Sequence, residues 1–457
     1  MKITYINHAG FIIEYEGIKI FCDPWIEGRV FNNAWSLISK TLFDYTDFSQ
    51  INYIWFSHEH PDHFYPPNLL KIPSEIRKNI SILYQFTEDK RLVNFCKELG
   101  FKNIIELPKG IPIEVAKDFF LLCEHYKDGD SWIYIKTPTT TLLNLNDCEI
   151  NSSHIANEIL KKTGNPDILM SQFSYAYWGG NKENIRYRQK VAEDKLKLLQ
   201  WQCNYFLPKF IIPIASYIYF CHEENFYMND SINTIEKTYS YLKEAVRASP
   251  VILYKNESFT IHTMHNSKKS IQLHAKDLAE SLINPVLSKS SFINENIVNK
   301  EIVLFNALVK QYPWYVKLFL RAPIIYISDY KSARKLNLTN GLIPVKCQKN
   351  ESDIIISSES LYFCLKFPYG LETLLIGSRL QIPSHGHYSR FYNLFRFELA
   401  QYQGYKLNVK YFIKLAINKI KKGVFKGSTK NYNLCPSLRE GLRERRQKKS
   451  IFGTALK

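Results

Sequence analysis

The 457-residue chain has no closely spaced cysteine pairs and no apolar run long enough to cross a membrane. Its nine cysteines are scattered and none forms a C-x-x-C arrangement, which favours reduced core thiols over a disulfide framework. The longest apolar stretch, residues 211–221, is far shorter than the ~20 residues that span a bilayer and contains a proline. The N-terminal residues alternate as strands do and give no secretory signal. We therefore expect a soluble, cytoplasmic protein.

Acidic residues are too few to balance the basic ones, and the excess lies at one end. The formal net charge is +17, and residues 414–457 hold thirteen Lys or Arg against two Glu. Lysines alternate with apolar side chains from residue 406 onward, which predicts a basic amphipathic tail over residues 406–457 that binds an anionic membrane surface or an acidic partner. A helix packed on the preceding domain explains the pattern equally well. Because little of the charge lies elsewhere, we do not expect nucleic acid as a partner.

What the chain does have is a concentration of histidine in one loop. Residues 57–64 read Ser-His-Glu-His-Pro-Asp-His-Phe and directly follow an apolar strand. Imidazole nitrogen and carboxylate oxygen are ligands of zinc, iron and manganese. The loop therefore predicts a site for one or two metal ions. The H-x-H-x-D-H pattern consists of His58, His60, Asp62 and His63.

This pattern resembles that of the metallo-β-lactamase superfamily, whose members carry it after a core strand of an αββα sandwich. The opening stretch, two strands around a turn that end in Asp23, is similar to the first hairpin of the family. There Asp23 would brace the metal loop from behind. His8, in Asn-His-Ala-Gly-Phe, resembles the corresponding stretch of the ascorbate-6-phosphate lactonase branch and is a predicted pocket residue. The resemblance covers about residues 1–265.

The resemblance implies three further ligands in a set order. His125 ends an apolar strand before a hairpin turn, and Asp147 ends the strand after it. His222 follows another core strand, although His262 and His265 compete for its role. The first ion would then be held by His58, His60 and His125, the second by Asp62, His63 and His222, and Asp147 would lie between them.

Such a site predicts a hydrolase of α/β class. Two divalent ions, zinc first and iron or manganese otherwise, would supply a metal-bound hydroxide that Asp62 or Asp147 orients and deprotonates. The predicted substrate is an ester, lactone or phosphodiester of a small polar metabolite. A di-iron oxygenase on the same ligands is the alternative, followed by a nuclease or a non-catalytic binding protein. The segment between Asp147 and His222 is too short for the nucleic-acid-binding insertion of the nuclease branch.

The loops expected around the metals are rich in Tyr, Trp and Asn, which stack on rings and bind hydroxyl groups. Residues 215–229 resemble lactamase-fold proteins related to CMP-N-acetylneuraminate hydroxylase, but this chain lacks the two Cys-His pairs of a Rieske cluster. Asp130, Ser131 and Trp132, just past His125, are further pocket candidates. The predicted substrate contacts are His8, Tyr175, Trp178, Tyr217 and Asn225.

We expect three regions along the chain. Residues 1–268 form the metallo-β-lactamase-like four-layer αββα sandwich, residues 269–405 a smaller α+β domain, and residues 406–457 the basic helical tail. Within the second region, residues 353–379 predict strand, helix, turn and strand, and faintly resemble the sterol-carrier-like domains appended to some lactamase-fold hydrolases.

Overall fold

Strands and helices make up similar shares of the N-terminal part of the protein. The computed structural model describes residues 1–413, so the predicted tail from residue 414 onward lies outside the described residues. The strands of this part are β1 (Lys2–Asn7), β2 (Gly10–Tyr15), β3 (Ile18–Cys22), β4 (Arg29–Val30), β5 (Trp35–Leu37), β6 (Tyr53–Phe56), β7 (Ser81–Gln85), β8 (Asn103–Leu107), β9 (Ile113–Ala116), β10 (Phe119–His125), β11 (Ser131–Lys136), β12 (Thr141–Asn146), β13 (Ile168–Gln172), β14 (Phe210–Ile214), β15 (Ile218–Phe220), β16 (Ser249–Pro250) and β17 (Ser258–Phe259).

Two seven-stranded sheets contain most of these strands. The order in the first sheet is β17-β1-β2-β3-β6-β7-β8, and in the second it is β16-β14-β13-β12-β11-β10-β9. Each sheet contains antiparallel hairpins and a parallel part, which is β3-β6-β7-β8 in the first sheet and β12-β13-β14-β16 in the second. A small third sheet joins β15, β5 and β4.

Side chains of β6 illustrate why these sheets are covered on both faces. Trp55 packs in the large core between the two sheets, together with residues such as Leu121 and Leu143. Its neighbours Ile54 and Phe56 point the other way into a second apolar cluster. Because successive side chains of a strand face opposite ways, an apolar run such as Tyr-Ile-Trp-Phe needs packing on both sides.

Helices supply that packing on the two outer faces, so the predicted four-layer αββα sandwich is confirmed. Leu69 and Leu92 cover the first sheet, and Leu199 and Leu242 cover the second. The helices of this part are α1 (Pro66–Lys71), α2 (Ser74–Arg77), α3 (Arg91–Glu98), α4 (Ser153–Thr163), α5 (Ile185–Phe206), α6 (Ile235–Ala245) and α7 (Ser267–Ile283).

A second apolar core lies in the C-terminal part, around a four-stranded sheet of order β20-β19-β18-β21. The predicted strand after the turn at residue 370 is wrong, because those residues form a helix. The elements are α8 (Glu295–Lys310), α9 (Trp314–Lys317), β18 (Ile324–Ile327), β19 (Ser332–Asn337), β20 (Gly341–Pro344), β21 (Ile354–Ile356), α10 (Ser358–Lys366), α11 (Gly370–Ile376) and α12 (Ser389–Tyr402).

The two parts are joined by hydrogen bonds and by a buried cation. Arg379, only 2% exposed, donates to the backbone oxygen of Asn32 at 2.6 Å and to the carboxylate of Glu224 at 2.7 Å. The N–H of Trp178 donates to the carbonyl of Leu375 at 2.9 Å. Within residues 1–413, every helix is too short or too polar to cross a bilayer.

Candidate metal centre

The loop after β6 brings the H-x-H-x-D-H residues to one end of the first sheet. The N–H groups of His63 and Phe64 both donate to the carbonyl of His60, at 3.0 and 2.8 Å, so the chain folds back directly after Pro61. Parallel strands deliver their carboxyl ends to the same edge of a sheet, which is where layered α/β folds gather functional groups. Asp23 therefore arrives there from the end of the neighbouring strand β3.

Asp23 lies behind the loop with no exposed surface. Its carboxylate accepts the N–H and the hydroxyl of Ser57, both at 2.7 Å, and the amide of Asn146. Nδ1 of His63 lies 3.0 Å from Oδ2 of Asp23. A ring hydrogen on Nδ1 is thereby directed to the carboxylate, and the Nε2 lone pair is left for a metal ion.

Nitrogen and oxygen atoms of this region form three groups that could each hold an ion. Within each group the candidate ligand atoms lie within 4.8 Å of one another. His58 belongs to two groups and His63 to two, so the groups form one continuous cluster. The groups are His8, Asp62 and His63; His58, His63 and Asp147; and His58, His60 and Asp130.

The distances within the cluster match those of a metal site. Two ligands that each lie about 2.0–2.1 Å from a tetrahedral zinc ion are about 3.3 Å apart. Asp62 Oδ2 is 3.2 Å from His8 Nε2 and 3.3 Å from His63 Nε2. His63 Nε2 is 3.4 Å from Asp147 Oδ2, and His58 Nε2 is 2.9 Å from the Nδ1 of the next ligand in the loop. The cluster therefore needs little rearrangement to accept ions.

Unpaired buried atoms point to the same conclusion. Asp62 is 3% exposed and His63 is fully buried, yet Oδ1 of Asp62 and Nε2 of His63 lack a hydrogen bond of acceptable geometry. A buried polar atom without a partner costs roughly 1–3 kcal/mol. A bound cation would satisfy both atoms, so the residues present fit a metal ion.

Electrostatics differ between the two shared histidines. Burial lowers the pKa of His58 well below its ordinary value, so its ring is a neutral ligand. Burial also disfavours a charged His63, but the carboxylates of Asp62 and Asp147 outweigh that effect and raise its pKa well above the ordinary range. The two carboxylates therefore keep a proton on the His63 ring. A divalent ion bound by His63 would displace that proton.

His125 is one of two predicted ligands that lie outside the three groups. It is the last residue of β10, and its Nδ1 lies 3.1 Å from the side-chain oxygen of Gln85 at the end of β7. Across the same hairpin, Oδ1 of Asp130 lies 3.8 Å from Nε2 of His58. The hairpin thus presents the carboxylate of Asp130 to the first ion position. The role of His125 as a ligand stays a prediction.

Asp147 and His222 occupy different surroundings. Asp147 follows β12 and accepts a hydrogen bond from the Gln172 amide at 3.2 Å, which orients its other oxygen toward His63. His222 is buried outside the three groups, and its Nδ1 accepts the N–H of Glu224 at 3.1 Å. Burial lowers the pKa of His222 to about 4. Of the competitors for its role, His262 is exposed and His265 bonds the carbonyl of Ile252.

His8 lies among the candidate ligands. It sits between β1 and β2 with a left-handed backbone (φ 50°), which turns its ring inward to Asp62 and against Trp25. The Asn-His-Ala-Gly-Phe stretch had indicated a pocket residue. The structure places its Nε2 within the candidate ligand cluster, 3.2 Å from Oδ2 of Asp62.

The other predicted substrate contacts are engaged in the framework of the protein. Tyr175 donates its hydroxyl to the carbonyl of Met228, and Tyr217 packs in the core between the sheets. Trp178 packs on the C-terminal core. Asn225 has no exposed surface and donates to backbone carbonyls of both parts of the protein. Their contact with substrate stays a prediction.

Sequence reasoning missed one residue near the cluster entirely. Glu372, on α11 of the C-terminal part, places Oε1 3.7 Å from Nε2 of His60. Burial disfavours a charged His60, but Glu372 outweighs it and raises the pKa of His60 to about 9. A lone glutamate far along the chain gives no local signal of such a contact.

Comparison with known proteins finds similarities in the N-terminal part. The model of the beta-lactamase superfamily domain matches residues 2–119. A protein described as a Rieske 2Fe-2S iron–sulfur protein in Mycolicibacterium smegmatis is 26% identical over 187 residues, which are 39% of this chain and 35% of that protein. The cytidine monophosphate-N-acetylneuraminic acid hydroxylase of Mus musculus is 25% identical over 240 residues, 50% of this chain and 41% of the enzyme.

The chain thus spans less than half the length of these two relatives. Among solved structures, a possible metal-dependent hydrolase from Veillonella parvula aligns with 57% of this chain and 99% of its own, at 14% identity and a TM-score of 0.44.

Proposed function

We propose that the cluster binds two divalent ions and that the protein is a metal-dependent hydrolase of the metallo-β-lactamase superfamily. The match of residues 2–119 to the model of the beta-lactamase superfamily domain supports this family. The observation that carries the proposal is the continuity of the three ligand groups through His58 and His63. Two positions that share ligands are expected of a dinuclear site, in which the ions lie about 3.5–4 Å apart.

The first ion position is formed by His58 and His60. Nε2 of His58 and Nδ1 of His60 are 2.9 Å apart, so both rings face one point. The third ligand from the protein is His125 or Asp130, which flank the same hairpin. The distance from His58 supports Asp130, whereas the resemblance to the family implies His125.

The second ion position is formed by Asp62 and His63. His8 Nε2 is within 3.2 Å of Asp62 Oδ2 and is therefore a ligand candidate beside the predicted His222. Asp147 approaches His63 from the side of the first position, which supports its predicted place between the ions.

Two divalent ions bound here would lower the pKa of water and stabilise negative charge on a carbonyl or phosphoryl oxygen. The protein residues then hold and move protons. Asp147, oriented by Gln172, and Asp62, whose Oδ1 has no other partner, are the groups that can accept a proton at the cluster. Asp23 keeps the His63 ring in one tautomer. We propose an ester, lactone or phosphodiester of a small polar metabolite as substrate.

The test combines metal analysis with a hydrolysis screen. We expect two equivalents of zinc, iron or manganese per chain and turnover of at least one compound in a panel of lactones, esters and phosphodiesters. His60→Ala and Asp147→Asn should reduce turnover by more than the about 10–100-fold typical of outer-shell partners. His262→Ala, which removes an exposed histidine, is the matched control. Full activity of His60→Ala would contradict the proposal.

A di-iron oxygenase is the second candidate, and Asp130 is the observation that favours it. Replacing an imidazole by a carboxylate at the first position gives a harder ligand set, which suits iron or manganese more than zinc. Protein purified without added metal would then contain two irons and absorb visible light. Two zinc ions and a colourless protein would exclude this candidate.

Single substitutions distinguish the two hairpin residues. If Asp130 is a ligand, Asp130→Ala loses one ion and His125→Ala keeps both. If His125 is the ligand, as the resemblance implies, the two variants behave the opposite way.

A further inference from the structure

We propose that the C-terminal domain completes the metal centre, with Glu372 as the residue that positions His60. The inference rests on the proposed function, since it requires an ion at the first position. Glu372 lies on α11, a helix outside the matched family domain, so the role belongs to this chain's own second domain.

The two nitrogens of the His60 ring face different partners. Nδ1 is 2.9 Å from Nε2 of His58, inside the cluster, and Nε2 is 3.7 Å from Oε1 of Glu372. When Nδ1 binds an ion, the ring hydrogen must lie on Nε2. That hydrogen is then on the ring nitrogen nearest the Glu372 carboxylate, 3.7 Å away, whose charge favours this tautomer and ring orientation, as carboxylates behind metal-binding histidines do.

Glu372 is held in place by its own domain. The side-chain amide of Gln403, just after α12, donates to Oε1 of Glu372 at 3.1 Å. Helix α11 begins at Gly370, where a Cβ atom would lie 2.6 Å from the backbone of residues 363 and 364. This close packing of α11 against residues 363 and 364 fixes the direction of the Glu372 carboxylate.

The end of α11 is fastened to the N-terminal domain. The carbonyl of Leu375 accepts the N–H of Trp178 at 2.9 Å, and the carbonyl of Gly377 accepts the amide of Asn225 at 2.7 Å. Just beyond α11, the guanidinium of Arg379 donates a hydrogen bond to the backbone oxygen of Asn32 at 2.6 Å. These bonds lie within a few residues of Glu372, so its distance from His60 is fixed by the interface.

Both side chains are partly open to water, at 26% exposure for His60 and 22% for Glu372. Without the carboxylate, water would take its place and the ring would no longer be held in one orientation. A positioning residue of this kind typically contributes about 10–100-fold to metal affinity.

The experiment measures the dissociation constants of both ions in the full chain by competition with a zinc chelator. Glu372→Gln removes the charge and keeps the shape, Glu372→Ala removes both, and Glu372→Asp restores the charge. We expect Glu372→Gln and Glu372→Ala to weaken one zinc ion about 10–100-fold and leave the other unchanged, with partial recovery in Glu372→Asp. Glu301→Gln, on α8 of the same domain, is the matched control.

Three results would overturn the inference. If each ion binds the folded Glu372 variants with the same affinity as it binds the wild type, the inference is refuted and the proposed metal site is not. Equal weakening of both ions, without recovery in Glu372→Asp, would show a merely structural effect. A wild-type protein that binds no zinc, iron or manganese would refute it together with the proposed function.

We infer separately that an apolar surface of the C-terminal domain docks on an anionic lipid membrane. The apolar surface consists of Trp314, Leu318, Phe319, Val409 and Ile413, which are 73%, 69%, 48%, 58% and 52% exposed. The Phe319 ring stacks on that of Phe412 at 5.6 Å, so the two chain segments form one surface. Exposed aromatic and aliphatic groups of this kind insert at the boundary of headgroups and acyl chains.

Charge determines which partner suits this surface. Neither residues 314–321 nor residues 405–413 contain an acid, and both contain exposed lysines. The sequence continues directly into residues 414–457, with thirteen Lys or Arg and two Glu. Apolar side chains flanked by positive charge fit an anionic bilayer, which attracts basic residues near its surface.

Cosedimentation with vesicles tests this inference. We expect binding to phosphatidylcholine vesicles that contain phosphatidylglycerol, weaker binding to phosphatidylcholine alone, and loss at high salt. Trp314→Ser with Leu318→Ser should reduce binding at least about tenfold, whereas Leu42→Ser, at an equally exposed leucine of the N-terminal domain, should not. Absence of binding, an unaffected double variant, or burial of the surface in a dimer would overturn it.

Discussion

Asp23 shows how one residue can organise a candidate metal centre without being one of its candidate ligands. It is fully buried among Ser57, His63 and Asn146. A buried carboxylate is costly unless its oxygens accept several hydrogen bonds, and each partner here supplies one or more. In return Asp23 determines which nitrogen of His63 faces the cluster.

Asp23→Asn should weaken metal binding by about 10–100-fold. Asparagine keeps the volume of the side chain, but its NH2 group cannot accept the hydrogen bonds that the Asp23 carboxylate accepts. The His63 ring therefore loses the contact that fixes its tautomer. Zinc affinity measured by chelator competition checks the loss. Ser57→Ala removes a hydroxyl that contacts Asp23 at 2.7 Å and Nδ1 of His58 at 2.9 Å, but it keeps the contact of Asp23 with His63. It should therefore cost less, and an equal or larger loss would contradict this ranking.

At this scale, local sequence predicted what adjacency in the chain can reveal. His58 to His63 lie within one loop, and Asp147 ends a predicted strand, so their types and positions indicated a metal. Asp130 was indicated only as a pocket residue beside His125, and Glu372 was not indicated at all; they reach the cluster through hairpin geometry and domain docking. Their contacts depend on packing between distant segments, which no local pattern encodes.

Helix α7 contains a buried histidine that is unrelated to the metal centre. The His274 ring packs on the ring of Tyr217 at 4.5 Å, and its Nε2 lies 2.9 Å from the carbonyl of Leu253. Because a carbonyl only accepts, Nε2 carries the hydrogen. Burial lowers the pKa of His274 to about 4, so the folded protein holds this ring neutral.

The stability of the protein should fall on the acid side because of His274. Its pKa is about 4 when folded and about 6.5 when unfolded, so the unfolded chain binds the extra proton first. The contribution is complete above about pH 6.5 and is lost as the pH falls toward 4, by at most about 1.4 kcal/mol per pH unit.

Urea unfolding of metal-free protein between pH 7 and 5 measures this slope. His274→Phe removes the titrating group and should unfold with a shallower pH dependence than wild type. Parallel profiles for the two proteins would show that His274 is not responsible.

Helix α11 is the element that sequence patterning misassigned. Its Leu-Glu-Thr-Leu-Leu-Ile run has the length and composition of a buried strand, and short apolar runs do not distinguish strand from helix. Contacts with the rest of the protein decide the matter. Gly377, at its end, sits so close to the N-terminal domain that a Cβ atom would be 2.9 Å from that of Ala34.

Gly377→Ala should therefore destabilise the docked protein by about 1–3 kcal/mol, as overpacking does. The added methyl would also lie 2.8 Å from the carbonyl of Thr373. Thermal unfolding gives the loss, and adding Ala34→Gly should recover part of it because the contact with Ala34 is relieved. Strictly additive effects of the two substitutions would contradict this account.

For the whole molecule, the layered N-terminal fold was predictable and the relation of the two domains was not. Alternation in the hairpins and the apolar run of β6 indicate a covered sheet, and the histidine loop identifies its functional edge. The interface depends on a buried Arg379 and on backbone bonds such as that of Trp178. These are tertiary contacts between residues far apart in the chain.

Removal of metal should destabilise the whole protein. The cluster gathers Asp23, Asp62, Asp130 and Asp147 around few positive groups, and an ion bound only by the folded state adds about 4 kcal/mol at a thousandfold excess over its Kd. Calorimetry after dialysis against a chelator should show a lower Tm that added zinc restores. A Tm unaffected by chelator would argue against a metal centre in this cluster.

The contact between His60 and Glu372 also affects how the protein is made. A ribosome delivers the N-terminal domain first, and its metal loop leaves the exit tunnel long before α11 has been synthesised. If Glu372 has the proposed role, a growing chain that does not yet contain α11 binds the ion at the first position weakly. Metallation then becomes a late step of biogenesis, and a truncated chain is released without a firmly held ion.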